Sequence, residues 1–127
     1  MYRVVVRGHV MVAHSLPDPF FGPAQALHGA TYVVEAAFFR RELDEHAAVI
    51  DIGAAGNALR SVLSGLTYRN LDDHPAFTGA LTTTEVIARY IADQLLDGPL
   101  TAGLARLDVV LRENPDAWAG YSVDLDQ

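Results

Sequence analysis

Apolar and polar positions alternate at the start of this chain. Tyr2, Val4, Val6, Val10, Val12 and His14 fall on one parity; Arg3, Val5, Arg7, His9 and Met11 fall on the other. A period of two predicts a half-exposed antiparallel strand over 2–14. Residues 15–26 hold Pro17, Pro19 and Pro23 and must form a loop. That loop is neither charged nor rich in glycine and serine. Its Phe20-Phe21-Gly22 is costly to leave in water, so the loop is expected to fold over a pocket or an interface. A second strand is predicted over 28–41, carrying Thr31, Tyr32, Val33, Val34, Phe38 and Phe39, with a turn at Glu42–Ala47 after it.

The period then changes. Ile52, Ala55, Leu59, Val62, Leu63 and Leu66 recur at three- and four-residue steps, which predicts a helix over 52–66 with Asp51 as its N-cap. The stretch 67–81 is irregular. Val86, Ile87, Tyr90, Ile91, Gln94 and Leu95 mark a second helix over 82–96. Thr82-Thr83-Thr84-Glu85 reads as its capping box, with Thr82 capping and Glu85 reaching back. Gly98-Pro99 ends it. Residues 104–113 alternate again, Pro115 breaks the run, and 117–125 form a short last strand. The order is ββααββ. An α+β domain spanning 1–127, with two helices on one face of a four-stranded antiparallel sheet, buries both helical stripes.

Composition narrows the function classes. Half of the 127 residues are hydrophobic, enough for a core without covalent staples. The chain has no cysteine, which removes disulfides, thiolate metal sites and cysteine nucleophiles together. The net charge is −7, and no basic run exceeds Arg40-Arg41. Nucleic-acid affinity rests on neutralising phosphates, so this balance argues against a nucleic-acid partner. Arg3, Arg7 and His9 interrupt any leader-like apolar stretch, and no apolar run reaches membrane-spanning length. The expectation is a soluble cytoplasmic protein with no membrane partner. Nothing in the pattern nominates a nucleotide cofactor.

The candidate chemistry centres on His28-Gly29-Ala30. Residues two apart on a strand share a face, so a His-x-His pair here would aim two imidazoles at one ion. Ala30 holds the second place. His14 ends the first strand and supplies another imidazole. His14 and His28 are therefore either metal ligands or metal-free pocket histidines. His9 has the opposite parity, and His46 and His74 fall in a turn and a loop where solvation is expected. Glu113 shares the apolar parity of Leu107, Val109 and Leu111, which favours an anchoring carboxylate over a surface charge. A carboxylate matches the paired N–H donors of a pterin or guanine-like edge. Tyr68 is either a proton-transfer group or an aromatic packed at a helix end. Asn70 and Asp72 are expected to hold their loop by side-chain to backbone bonds.

Ala13-His14-Ser15-Leu16, Leu27-His28-Gly29, Val49-Ile50-Asp51, Asn70-Leu71-Asp72, Thr83-Thr84-Glu85 and Glu113, in that order, resemble the 6-pyruvoyl- and 6-carboxytetrahydropterin synthase family. The resemblance spans nearly the whole chain. It implies a T-fold, whose subunits join their sheets into a barrel, and a homo-oligomer that is typically a hexamer of two trimers. It also implies a zinc ion on three histidines, a glutamate clamping a pterin, a catalytic cysteine and an Asp-His pair. On that pattern His14 and His28 fall on two metal-ligand positions, and His28 becomes a catalytic candidate beside Tyr68. Glu113, Thr83 and Thr84 fall on the substrate site. The chain departs from the pattern at Ala30, at the absent cysteine and at Thr67-Tyr68, which stands where the Asp-His pair belongs. Two functions follow from the resemblance. One is a divergent lyase or cyclase acting on a pterin-like or other small planar carbonyl compound, metal-assisted if the ion binds. The other is a non-catalytic oligomer that binds a pterin- or purine-like ligand.

Overall fold

Both period-two runs at the start of the chain become thirteen-residue strands. In the computed structural model, which describes residues 1–126, they are β1 (Tyr2–His14) and β2 (His28–Arg40). They pair antiparallel along their whole length, from Tyr2 opposite Arg40 to His14 opposite His28. The helices are α1 (Ile52–Ser64) and α2 (Thr84–Leu96), separated by a short β3 (Arg69–Asn70). The chain ends with β4 (Arg106–Asn114) and β5 (Ala117–Asp124). The sheet order is β3-β1-β2-β4-β5.

Parity decides which face is buried. Val10, Val12, Val34, Phe38, Leu107, Val109 and Leu111 lie under the helices, packed against Leu59, Leu63, Ile87 and Ile91. Gly8 carries the same parity. A Cβ there would lie 2.6 Å from the Leu63 side chain, so glycine lets α1 close onto β1. The other face carries Arg3, Val5, Arg7, Glu35 and Trp118 and has no helix over it.

Three expectations need correcting. The sheet has five strands, because Arg69–Asn70 runs parallel to β1 beside Val12 and Ala13. The Tyr68 N–H donates to the Met11 carbonyl at 2.6 Å, and the Met11 N–H donates to Thr67 Oγ1 at 3.3 Å, which pins the segment there. Two residues are too few to show a period. Second, α2 is capped by Thr83, whose Oγ1 accepts from the Val86 N–H at 3.3 Å; Thr82 lies outside the helix. Third, His74 is buried rather than solvated. Its Nδ1 accepts from the Ala76 N–H, and its ring rests against Phe77 and Tyr90. Asp51 caps α1 as expected, accepting from the Ala54 N–H.

Two sheet edges stay open. β3 covers only the last part of β1, and β5 has no strand on its outer side among the described residues. No helix among the described residues is long and apolar enough to cross a membrane.

Candidate functional site

β1 ends, β2 begins and β4 ends at one edge of the sheet, and the N-terminus of α2 points at the same place. A cavity of about 550 Å³ opens there. It brings together His14, His28, Thr83, Thr84 and Glu113, with Tyr32 on its floor. The proline-containing loop contributes Leu16, Phe21 and Ala24 to the wall, as its apolar content required. Phe20 points away and is fully in solvent.

Glu113 is placed by a bulge. Arg112 pairs with Trp118 and Asn114 with Ala117, so Glu113 is an extra residue on β4. Such a bulge bends the strand and re-aims a side chain. The Glu113 carboxylate accepts a hydrogen bond from Thr84 Oγ1 at 2.6 Å and keeps its other oxygen available to the cavity. Its backbone parity is the apolar one, yet the residue is solvent-accessible. A strand-period argument alone does not foresee a bulge.

Tyr32 was not singled out by the sequence. It follows His28 and Ala30 on the same strand face and is 2% exposed. Burial pushes its phenol above the ordinary value, and the charges of Glu113 and Glu85 add to the effect against an opposing Thr84 hydrogen bond. The signal was present in the i, i+2, i+4 spacing from His28, but an aromatic at that spacing reads equally as core.

The two imidazoles form a cross-strand pair. Their ring centroids lie 4.6 Å apart, with the planes tilted by 58°. His28 Nδ1 lies 2.8 Å from the Ala26 carbonyl oxygen and donates to it. His14 is 3% exposed, and its Nδ1 lies 3.0 Å from Thr82 Oγ1. Burial lowers the His14 pKa and nearby His28 lowers it further, against smaller opposing effects of Thr82, Asp72 and Glu113. Asp72 secures the chain just beyond His14, accepting from the Ser15 N–H at 3.0 Å and the Ser15 hydroxyl at 2.6 Å. Partial burial works to raise the Asp72 pKa, but the Ser15 bonds and the two histidines prevail and lower it. Asn70 holds the same turn by accepting from the Asp72 N–H.

A catalytic zinc ordinarily has three protein ligands. Ala30 lies on the cavity face beside His28 and offers no donor. No group of three His, Cys, Asp or Glu side chains able to hold a metal ion occurs among the described residues. The donor set of one chain does not fit a resident zinc.

Tyr68 stands apart. It is 83% exposed and does not line the cavity of its own chain, so the packed-aromatic alternative fails. Its φ is +60°, a left-handed conformation uncommon for a bulky residue.

The strand order and helix placement, with a cavity at the sheet end, define a T-fold protein. The chain belongs to the 6-pyruvoyl tetrahydropterin synthase family, whose model matches residues 3–124. Several solved structures share the fold, three of them as follows. The 6-pyruvoyl tetrahydropterin synthase of Caenorhabditis elegans is 21% identical, with a TM-score of 0.78 over 98% of this chain and 96% of that one. The Plasmodium vivax enzyme is 18% identical, with a TM-score of 0.80 over 98% of both chains. The Plasmodium falciparum enzyme is 16% identical, with a TM-score of 0.78 over 98% of both. No curated protein matches this chain significantly.

Proposed function

We propose that the chain binds a pterin-like or other small planar carbonyl compound in this cavity and acts on it as a lyase or cyclase. One observation carries the reading: an acceptor carboxylate, Glu113, is bulged out of β4 into a cavity and oriented there by Thr84. A carboxylate with a free oxygen beside protonated donors suits a ring edge that presents N–H and NH₂ groups. Thr83 and Thr84 at the start of α2 border the ring. His28 and His14 face the substituent.

The active form is proposed to be a ring of copies, a hexamer of two trimers as the family resemblance implies. Open edges on β1 and β5 favour sheet-to-sheet closure. β5 runs antiparallel to β1, so in a ring the His14 end of a neighbour's β1, with the short β3 on its outer side, lies toward the Ala117 end of β5. That end borders Glu113 and Thr84 across a smaller recess. Tyr68 of the partner subunit, sitting beside that end of β1, then arrives at the cavity mouth and supplies the proton-transfer group.

A second reading is a binding oligomer without catalysis. It is favoured by the absence of cysteine and by the distance of Tyr68 from its own cavity. Calorimetry with reduced pterins and light scattering test binding and assembly together. Turnover by wild type and none by Glu113→Ala supports the enzyme; binding without turnover supports the second reading. A stable monomer at micromolar concentration sinks the shared site.

A further inference from the structure

Two opposite charges near the open edges have no counter-ion among the described residues of their own chain. Arg69 is exposed on β3, and its guanidinium makes one long contact, Nη1 to the Gly65 carbonyl at 3.4 Å. Glu85 is exposed in the first turn of α2. Arg89, one helical turn further on, is taken up by Asp93 and by the face of the Tyr121 ring. Glu85 and Glu113 line the main cavity and the smaller recess together. No arginine lines either space, and the chain has no lysine. One chain therefore brings two carboxylates to one site, where like charges repel, and gives the Thr84 hydroxyl to Glu113.

We propose that the partner subunit's Arg69 supplies the missing cation and pairs with Glu85 where the β3 side of one copy closes on β5 of the next. Three placements agree. The first is the end of the sheet. β3 lies outside β1 beside Val12 and Ala13, and β5 starts at that same end, so closing one edge on the other sets β3 beside Ala117. The second is the face. Arg69 is in register with the buried Val12, and residues in register on neighbouring strands share a face. The contact with Gly65, at the end of α1, puts the Arg69 side chain on that helix-covered face. The third is the position of Glu85. α2 packs over β4 and β5 on the same face, and Glu85 borders Ala117 and Trp118 across the recess. The charges are also complementary. Copies of a chain with net charge −7 repel, and an opposite pair at the seam fixes which edge meets which. This rests on the reading of the active form as a ring of copies and adds the contact that completes the shared site.

The test measures association of the full chain by light scattering over a concentration series in low salt. Arg69→Glu and Glu85→Arg each set like charges against one another, and each should weaken association by at least about a hundredfold. The double variant Arg69→Glu/Glu85→Arg restores an opposite pair and should return to within about tenfold of wild type. Both side chains are exposed, so all three variants should keep the wild-type circular dichroism. Where a reversal does not fold, the milder cycle decides: Arg69→Ala and Glu85→Ala should each cost about tenfold, and the double alanine variant hardly more than either. High salt should weaken wild type toward the double alanine variant. An oligomeric wild type whose association survives both reversals overturns the pair and leaves the ring standing. So does a double variant in which the two losses add. A wild type that stays monomeric takes down the ring and the pair together.

Discussion

The two ends of the cavity are built by different means. At the Glu113 end, three separate elements converge: the bulge in β4, the first residues of α2 and the buried Tyr32 of β2. There Thr84 Oγ1 already donates to the Glu113 carboxylate before a ligand arrives. At the histidine end a single cross-strand pair does the work, with each Nδ1 already engaged by its own chain. The first end is preorganised for binding. The second lacks the third imidazole the family pattern calls for, since Ala30 stands there. Under the proposed function, recognition and chemistry are separable by mutation in this molecule.

The largest effect is expected at the Glu113 end. Glu113→Ala removes the charged acceptor that faces the ring, so pterin affinity should fall by more than about a hundredfold by calorimetry. Glu113→Gln should do nearly as badly, since it turns half of the acceptor edge into a donor facing donors. The melting temperature should barely move, because the residue is solvent-accessible. Unchanged affinity in Glu113→Ala would break the comparison at its first term.

Next comes Tyr68→Phe. If Tyr68 of the partner subunit moves the proton, kcat should fall by about a hundredfold with KM nearly intact. Mixed oligomers of Tyr68→Phe and Glu113→Ala chains should regain part of the wild-type activity, because wild-type Tyr68 then meets wild-type Glu113 across some interfaces. A packing role predicts no change in kcat, and the exposed ring gives packing little to do.

The sheet and both helices were legible because burial imposes a period, and the buried parity of β1, β2 and β4 follows from it directly. His14, His28, Thr83, Thr84 and Glu113 line one cavity. What escaped was local and long-range at once. The bulge at Glu113 depends on how β5 pairs, and β3 depends on a backbone bond between Tyr68 and Met11. Thr82 reads as a helix cap because three threonines in a row offer equivalent hydroxyls. Only the fold, by bringing His14 beneath it, assigns Thr82 to the imidazole and Thr83 to the cap.

That assignment supplies the third prediction. Thr82→Val keeps the shape and removes the hydroxyl, leaving His14 Nδ1 buried without its partner. Urea unfolding should report a loss of about 1–2 kcal/mol. The affinity for a ring lacking a hydroxyl substituent should be unchanged, because the Glu113 end is untouched. Thr83→Val should instead cost helix stability, about 1 kcal/mol, without touching His14.

The smallest effect sharpens the comparison by way of a second carboxylate. Glu35 lies one strand away from Glu113, on the face without helices, and accepts from Arg112 Nε at 2.5 Å and Arg7 Nη2 at 3.0 Å. The Arg112 hydrogen bond lowers its pKa most, partial burial opposes, and Arg7 adds to the lowering. A depressed carboxylate contributes stability that is present above the unfolded pKa and lost as pH falls through the folded one. Wild type should therefore exceed Glu35→Gln at pH 7 by up to about 1 kcal/mol, since Arg7 is largely exposed and the pair is screened. The gap should close as pH drops below about 4. Thermal melts across pH check it, and a gap that widens in acid reverses the sign of the argument. Pterin binding should be the same in both proteins. Glu35 already has a guanidinium on each oxygen and has no acceptor to offer a ring. Glu113, held by one threonine hydroxyl, has one to spare.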